Sequence, residues 1–257
     1  MGMNYFAHQT AAERYAQARP YFHPLVVDKI RTFLTLPKPL PAAVDVACGT
    51  GQSALALTEI AEEIIAADIA PGMLAQAPAH PRIRYVQALA EQLPLKNHRA
   101  DLLTVSLAFH WLDRARFLDE AHRVIRPGGA LAIYNNSFYG QMNENPDFSR
   151  WNREHYLPRY PTPRRNNEPF ADDDAREHNF VFIGREPYTN DISFTPYQLV
   201  RYLMTQSNVI AAVEQGGKSL ASVYAWLLDS VSPLFRAPTA TFQFGGEIWH
   251  LQSSPNT

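Results

Sequence analysis

The chain has 257 residues, of which 46% are hydrophobic and 19% are charged, and its formal net charge at pH 7 is -2. This composition predicts a soluble globular protein with one substantial core. Because 23 Lys and Arg residues are balanced by 25 Asp and Glu residues, no basic excess is present to neutralise a phosphate backbone, and we expect no nucleic-acid partner.

Targeting and metal signals are missing from the same sequence. No run of about 18 apolar residues is present, and residues 1–10 lack the basic and apolar regions of a secretory signal, so we expect no membrane association. The single cysteine, Cys48, excludes an internal disulfide, and the nine histidines show no metal-binding spacing. We therefore expect a cytoplasmic protein without a metal. The oligomeric state is not indicated.

Residues 1–135 contain most of the predicted elements. Residues 1–41 contain a helix that ends near Thr35, followed by a proline-rich connector at 37–41. Residues 42–135 alternate short apolar runs with amphipathic runs, which is typical of repeated βα units and predicts a parallel sheet with helices on both faces. The predicted strands are 43–46, 64–68, 84–86, 102–107 and 131–134. The predicted helices are 52–62, 72–77 and 114–125, the last followed by a Pro-Gly-Gly stop at 127–129.

The remainder of the chain has a different composition and a different hydrophobic pattern. Residues 136–195 form an insert after the fifth strand, and its first part is rich in aromatic residues and arginine. Helices are predicted at 196–208 and 219–228. The Gly-Gly pair within residues 242–249 separates two alternating runs and predicts a closing hairpin.

The most informative segment is a glycine-rich turn between a predicted strand and a predicted helix. It runs from Asp45 to Gln52, and its glycines allow the backbone to approach a ligand closely. Gly49, Gly51 and Ala54 also satisfy the spacing of a dinucleotide site. An acid at the end of the next strand, Asp68, can accept hydrogen bonds from ribose hydroxyls in either kind of site. These residues alone therefore leave an NAD(P)-dependent oxidoreductase open as an alternative.

Several further motifs follow this turn in order. They are Val44 to Gly51, Ala67 to Leu74, Ala90 to Leu95, Asp101 to Ser106, Phe109 to Asp113 and Arg123 to Gly129. In this series the chain resembles the small-molecule branch of the class I S-adenosylmethionine-dependent methyltransferases, and in particular the methyltransferase type 11 group that includes trans-aconitate methyltransferase. The resemblance covers about residues 5–135.

The resemblance implies an α/β fold with a Rossmann-like, doubly wound, mostly parallel sheet of seven strands. It implies a helical cap over the cofactor at residues 1–41 and an S-adenosylmethionine-binding core at 42–135. The insert at 136–195 would be a lid or substrate region, and residues 196–257 would supply C-terminal helices and closing strands. The expected partner is a small-molecule methyl acceptor, a carboxylic acid being one candidate.

The resemblance also implies roles for individual residues. Asp45 would help to hold the methionine ammonium group, Asp68 the ribose, and Met73 would pack against the adenine. The family often has an acid at the position of Leu89, so adenine recognition here would depend on backbone near Ala90 or on Glu91. The full set of expected cofactor-binding residues is Tyr15, Arg19, Asp45, Ala47, Cys48, Gly49, Gly51, Asp68, Ile69, Met73, Ala90, Glu91 and Leu107.

Two candidate catalytic residues, His110 and Trp111, follow the fourth predicted strand, where the carboxyl edge of an open α/β sheet forms its ligand crevice. His110 could be a general base or a structural histidine, and Trp111 could form a wall of the methyl-transfer pocket or pack in the core. Cys48 has no neighbouring base in the sequence and is not expected to be a nucleophile.

The arginines of the insert allow two interpretations. Because nearby acids nearly balance them, the insert could be a solvated surface lid. Alternatively, one or two inward-pointing arginines would grip an anionic substrate through bidentate hydrogen bonds. A carboxylate acceptor would need no base because it is ionised at neutral pH, whereas a hydroxyl or amine acceptor would make His110 important. A non-catalytic cofactor-binding module is the third functional alternative.

Overall fold

The computed structural model describes residues 9–254, so residues 1–8 of the predicted N-terminal cap and residues 255–257 of the predicted closing segment lie outside the described residues. Eight strands are present in the described part of the chain: β1 (Leu40–Val46), β2 (Ala61–Asp68), β3 (Ile83–Gln87), β4 (Ala100–Ser106), β5 (Ile125–Tyr134), β6 (Ser137–Met142), β7 (Phe180–Phe194) and β8 (Ala240–Ser253).

The same residues form eleven α-helices: α1 (Gln9–Ala18), α2 (His23–Phe33), α3 (Gln52–Leu57), α4 (Pro71–Leu74), α5 (Arg114–Val124), α6 (Asp147–Trp151), α7 (Leu157–Arg159), α8 (Asp172–Glu177), α9 (Pro196–Leu203), α10 (Ser207–Ile210) and α11 (Leu220–Val231). Short 3-10 turns lie at Phe109–Trp111 and Ser232–Leu234, and π-helical turns lie at Asn152–Tyr156 and Ala211–Gln215.

The chain folds into two compact units. Within the described residues, the first unit comprises 9–20, 136–164 and 189–245, and the second comprises 21–135, 165–188 and 246–254. The predicted core at 42–135 therefore lies wholly within the second unit.

The sheet of the second unit has the strand order β3-β2-β1-β4-β5-β8, and β7 pairs with β8. The first five strands are parallel, and β8 pairs with β5 in the antiparallel direction. The backbone N–H of Ser254 donates to the carbonyl of Asn179 (2.9 Å), which extends the β7–β8 pairing to the end of β8. These seven strands confirm the predicted Rossmann-like, doubly wound, mostly parallel sheet.

Both faces of this sheet are covered, as alternating side chains require. On one face, residues such as Val44, Leu103 and Leu131 pack with α5, whose buried residues are Phe117, Leu118, Ala121 and Val124. On the other face, neighbouring residues such as Ala43 and Leu102 pack with α2 and α3. The apolar runs of the sequence are continuous because each strand is buried on both sides.

The first unit has a separate core. Strand β6 pairs with the first half of β8, with Phe138 opposite Phe244. Helix α9 begins with a capping box, in which the Thr195 hydroxyl accepts from the N–H of Gln198 (3.2 Å) and the Gln198 side chain accepts from the N–H of Thr195 (2.8 Å). Its buried residues include Leu199 and Leu203.

The predicted closing hairpin at Gly245–Gly246 is wrong, because β8 runs through both glycines as one strand. The reason lies in the neighbouring backbone. A Cβ at Gly246 would collide with the carbonyl and side-chain oxygens of Asn135. Glycine is therefore required here for close packing of two chain segments rather than for a turn.

Three element boundaries in the structure also differ from the predicted ones. The helix predicted at 52–62 ends at Leu57, because the Thr58 hydroxyl donates back to the carbonyl of Leu55 (2.7 Å) and β2 begins at Ala61. Strand β1 begins at Leu40, inside the predicted connector, where its N–H donates to the carbonyl of Ile60 (2.8 Å). The Pro-Gly-Gly sequence after α5 lies within β5, because Ile125 already pairs with Ala100 before the register shifts.

Smaller differences occur at the other predicted helices. The helix predicted at 72–77 is the single turn of α4, and the one predicted at 196–208 is divided into α9 and α10.

Candidate functional site

The turn between β1 and α3 has a left-handed backbone at three positions. Ala47, Gly49 and Gly51 have φ angles of 54°, 54° and 76°. Glycine adopts this region without a steric penalty, whereas a non-glycine residue such as Ala47 is strained there. Leu107, directly after β4, is also left-handed with φ of 57°. Since β1 and β4 are neighbouring parallel strands, two strained residues lie beside each other at the carboxyl edge of the sheet.

Asp45 is anchored beneath this turn. Its side chain is fully buried, and its two carboxylate oxygens accept hydrogen bonds from the hydroxyls of Ser53 (2.5 Å) and Thr104 (2.8 Å). Thr104 is the residue opposite Asp45 in the β1–β4 register. Burial raises the pKa of Asp45 to about 7, with the nearby charge of Asp68 adding to the rise and the two hydroxyls opposing it. Asp45 is thus poised to ionise near neutral pH.

Asp68, at the end of β2, holds the turn from the other side. Its carboxylate accepts from the backbone N–H groups of Gly49 and Ala70, each at 2.8 Å. Burial raises its pKa, although these hydrogen bonds favour the charged form. Asp68 therefore joins the glycine turn to the segment that leads into α4. The next residue, Ile69, exposes 45% of its surface.

The two glycines of the turn are needed for different reasons. A Cβ at Gly49 would lie 3.1 Å from the Cε of Met73, a buried residue of α4. A Cβ at Gly51 would lie 2.6 Å from the hydroxyl oxygen of Tyr85 and 3.0 Å from the Cβ of Ala77. Gly51 is therefore required for packing beneath Tyr85, a residue that the sequence analysis did not select.

Cys48 lies in the same turn, in surroundings that disfavour its thiolate form. It is buried, and burial raises its pKa well above the ordinary value, with the charges of Asp45 and Asp68 adding to the rise. Because the thiolate is the nucleophilic form, this environment agrees with the prediction that Cys48 is not a nucleophile.

Ala90 and Glu91 lie on the loop after β3. Ala90 is buried, and the Glu91 carboxylate accepts from the N–H of Asp113 (3.0 Å). Asp113 is in turn the N-cap of α5, where it accepts from the N–H of Arg116 (3.3 Å). Glu91 therefore fastens this loop to the start of α5.

His110 and Trp111 lie on the 3-10 turn after β4, as the sequence places them. Their rings are 4.8 Å apart between centroids. Two arginines flank the pair: Arg165 lies over the Trp111 ring, with Cζ 5.1 Å from the centroid, and Arg114 lies over the Phe109 ring at 4.7 Å. Arg114 also donates to the backbone carbonyls of residues 166 and 168, at 2.9 and 2.7 Å.

The electrostatic environment of His110 determines whether it can act as a general base at neutral pH. Burial lowers the pKa of His110, and together with the smaller effect of the positive charges of Arg165 and Arg114 it brings this pKa to about 4. His110 is consequently neutral at pH 7 and a weak base. The two guanidinium groups place positive charge near His110, and the carboxylates of Asp174 and Glu168 lie close enough to Arg114 to raise its pKa in opposition to burial.

Tyr15 and Arg19 belong to the first unit. The Arg19 guanidinium lies over the rings of Tyr15 and Tyr202, at 4.7 and 5.3 Å from Cζ to the centroids, and donates to the carbonyl of Thr205 (2.9 Å). Their predicted contact with a cofactor stays a prediction, as do the predicted ligand contacts of the residues in the second unit.

Sequence reasoning did not select Ser53, Thr104 or Tyr85. Thr104 carried a signal, because it is a polar residue flanked by the apolar residues Leu102, Leu103 and Val105. Its role can be recognised only from the β1–β4 register, which places Thr104 opposite Asp45.

No group of three His, Cys, Asp or Glu residues that could hold a metal ion occurs in residues 9–254. Across the same span, every helix is too short or too polar to cross a membrane.

Comparison with known proteins matches the segment that contains the glycine turn, Asp68, His110 and Trp111. Residues 44–133 match a family model described as a methyltransferase domain. An uncharacterized methyltransferase of Mycobacterium tuberculosis is 33% identical over 125 residues, which cover 48% of this chain and 49% of that protein. The malonyl-[acyl-carrier protein] O-methyltransferase of Dechloromonas aromatica is 42% identical over 92 residues, covering 35% of this chain and 34% of that protein.

The chain thus spans about half the length of the first of these relatives. A solved structure of a "Putative Type II Methyltransferase" from Anaeromyxobacter dehalogenans superposes with a TM-score of 0.66 at 23% identity, covering 91% of this chain and 95% of that one. This likeness concerns the fold.

Proposed function

We propose that this protein transfers a methyl group from S-adenosylmethionine to a small-molecule acceptor, and that the acceptor is a carboxylic acid. The match of residues 44–133 to a methyltransferase domain model supports this proposal. The observation that carries the proposal is the β1–α3 turn, with its left-handed glycines and the carboxylates of Asp45 and Asp68 on either side. The family match favours this cofactor over the dinucleotide that the glycine spacing alone would allow.

The residues of the turn fit such a cofactor. Left-handed glycine backbone permits a ligand to approach closely. Asp45, ionised in part near pH 7, would gain from a nearby ammonium group, and Asp68 can accept hydrogen bonds from ribose hydroxyls. The exposed Ile69 and the buried Met73 offer apolar surface for a base.

When bound, S-adenosylmethionine supplies a methyl group attached to a sulfonium sulfur. As the acceptor takes the methyl group, the sulfur keeps the bonding electrons and leaves as a neutral thioether. The chain's task is therefore to align the acceptor and to exclude water, and no covalent intermediate with the protein is required. His110 and Trp111 would line the acceptor side of the site.

A carboxylate is the acceptor that this chemistry favours. A pKa of about 4 makes His110 a poor base for an alcohol or an amine, whereas a carboxylate is already ionised at neutral pH. The flanking Arg114 and Arg165 favour an anion. The matched relative from Dechloromonas aromatica carries a name that describes an O-methyltransferase of a malonyl group. We place the reaction in the cytoplasm, without a metal and without a nucleic-acid partner.

The experiment that tests this function is incubation of the purified protein with methyl-labelled S-adenosylmethionine and a metabolite extract. Label that mild base releases as volatile methanol is expected, because methyl esters are base-labile. A base-stable product would reject the carboxylate and make His110 the first residue to replace. Cofactor binding without any product would instead favour a non-catalytic binding module.

A further inference from the structure

A segment without helix or strand structure lies against the His110 turn. It comprises residues 165–170, which belong to the same compact unit as that turn, and we call it the strap. At the end of the strap the buried ring of Phe170 packs against the rings of Phe109 and Trp249, with centroids 5.1 and 5.5 Å apart. Apolar contacts therefore anchor this end of the strap.

Arg114, the first residue of α5, holds the middle of the strap. Its Nη1 donates to the carbonyl of Glu168 (2.7 Å), and its Nη2 donates to the carbonyl of Asn166 (2.9 Å). Arg114 is itself well placed, because the preceding residue, Asp113, caps α5 and donates its N–H to the Glu91 carboxylate. A planar guanidinium can reach two carbonyls at once through its fixed fork of donors.

The strap in turn contacts both candidate catalytic residues. The backbone N–H of Asn166 donates to the backbone carbonyl of His110 (3.0 Å). The neighbouring Arg165 guanidinium lies over the Trp111 ring, with Cζ 5.1 Å from the centroid. The strap thus covers one face of the Trp111 ring and is hydrogen-bonded to a half-buried His110.

We propose that Arg114 is a clasp that seats the strap on the His110 turn and thereby controls access to His110 and Trp111. Arg114 is a positioning residue, because it acts on these two residues through the strap and not by direct chemistry. Breaking its two hydrogen bonds would free the strap up to the anchor at Phe170. The inference rests on the proposed function only in taking His110 and Trp111 as the acceptor side of the site.

Amide hydrogen exchange of the full-length protein, followed by mass spectrometry, tests the clasp. Arg114→Lys keeps the positive charge near His110 but loses the planar fork that reaches both carbonyls. We expect the amide of Asn166 to exchange about tenfold faster in this variant than in the wild type, because its local opening becomes easier. Arg116→Gln is the matched control, since Arg116 is an exposed arginine of the same helix, and it should exchange as the wild type does.

Diethyl pyrocarbonate tests access, with the modified histidines identified by mass spectrometry. The reagent attacks neutral imidazole, and His110 is already neutral at pH 7, so a faster reaction there reports better access. We expect His110 to react about fivefold faster in Arg114→Lys than in the wild type, as a consequence of the freed strap. The exposed His155 serves as the reference, and the buried His23 should stay protected in both proteins.

The proposal is overturned if Arg114→Lys exchanges the amide of Asn166 at the wild-type rate, or if this exchange rises while the reactivity of His110 does not. Loss of protection at His23 would also overturn it, because the whole unit and not the strap would then have opened. Neither measurement depends on turnover, so a failure of the proposed methyl transfer would be seen separately in the labelling assay.

Discussion

Replacing Asp45 with asparagine is expected to stabilise the protein more at pH 8 than at pH 5. The carboxyl group is fully buried, and its pKa of about 7 lies well above the ordinary value of 3.8. Between these two values the folded protein retains a proton that the unfolded chain has released. Stability therefore falls as the pH rises through this window and levels off above the folded pKa.

The magnitude follows from proton linkage. Each unit of pKa difference corresponds to about 1.4 kcal/mol, and between pH 5 and pH 8 Asp45 should cost the wild type about 2–3 kcal/mol of unfolding free energy. Asparagine cannot ionise; its amide oxygen can accept from one of the hydroxyls of Ser53 and Thr104, and its NH2 group can donate to the oxygen of the other. The stabilisation of Asp45→Asn relative to the wild type should therefore grow by that amount across this range.

Urea denaturation at pH 5, 6, 7 and 8 measures the difference directly. Asp147→Asn is the control, because Asp147 is half exposed and pairs only with Arg150 among the ion pairs of the described residues. Its pH dependence should match that of the wild type. If the wild type and Asp45→Asn differ by the same amount at every pH, to within about 0.5 kcal/mol, then burial does not raise the pKa of Asp45 and the reasoning is refuted.

The other expected outcomes concern the glycine turn with Asp68 and Cys48, and the surroundings of His110. Asp68→Ala should weaken S-adenosylmethionine binding by about 1.5–3 kcal/mol, the value of a hydrogen bond to a charged group; unchanged affinity in a calorimetric titration would reject the ribose assignment. Gly49→Val should lose cofactor binding while the far-ultraviolet circular dichroism stays native, because a branched side chain at a φ of 54° would meet Met73 and the ligand. Arg165→Gln should raise the pKa of His110 from about 4 towards its ordinary value of 6.5, as followed by NMR titration; a constant pKa would show that Arg165 does not act on His110. Iodoacetamide should alkylate Cys48 slowly in the native protein and rapidly in urea, because the thiol is buried with a raised pKa; rapid labelling of the native protein would contradict this environment.

Much of the second unit could be predicted from the sequence, because its signals are local. Strands buried on both faces give continuous apolar runs, and α5 shows a helical apolar stripe after its Asp113 cap. The glycine turn was recognisable because left-handed backbone and a strand-to-helix transition require residues of that kind in that order. The resemblance then supplied roles that spacing alone left open.

The remainder depends on contacts between distant parts of the chain. Gly245–Gly246 resembles a hairpin turn locally, and only the approach of Asn135 shows why glycine is present inside β8. Thr104 becomes a partner of Asp45 only through the strand register. The low pKa of His110 results first from burial, and Arg165, which is 55 residues away in the sequence, adds to it.

The most direct test of the central claim is a calorimetric titration of the wild type and Gly49→Val with S-adenosylmethionine, and of the wild type with NAD⁺. We predict saturable binding of S-adenosylmethionine by the wild type, loss of that binding in a folded Gly49→Val variant, and no binding of NAD⁺. Binding of NAD⁺ in place of S-adenosylmethionine, or unchanged binding by Gly49→Val, would contradict the assignment of this turn as the cofactor site of a methyltransferase.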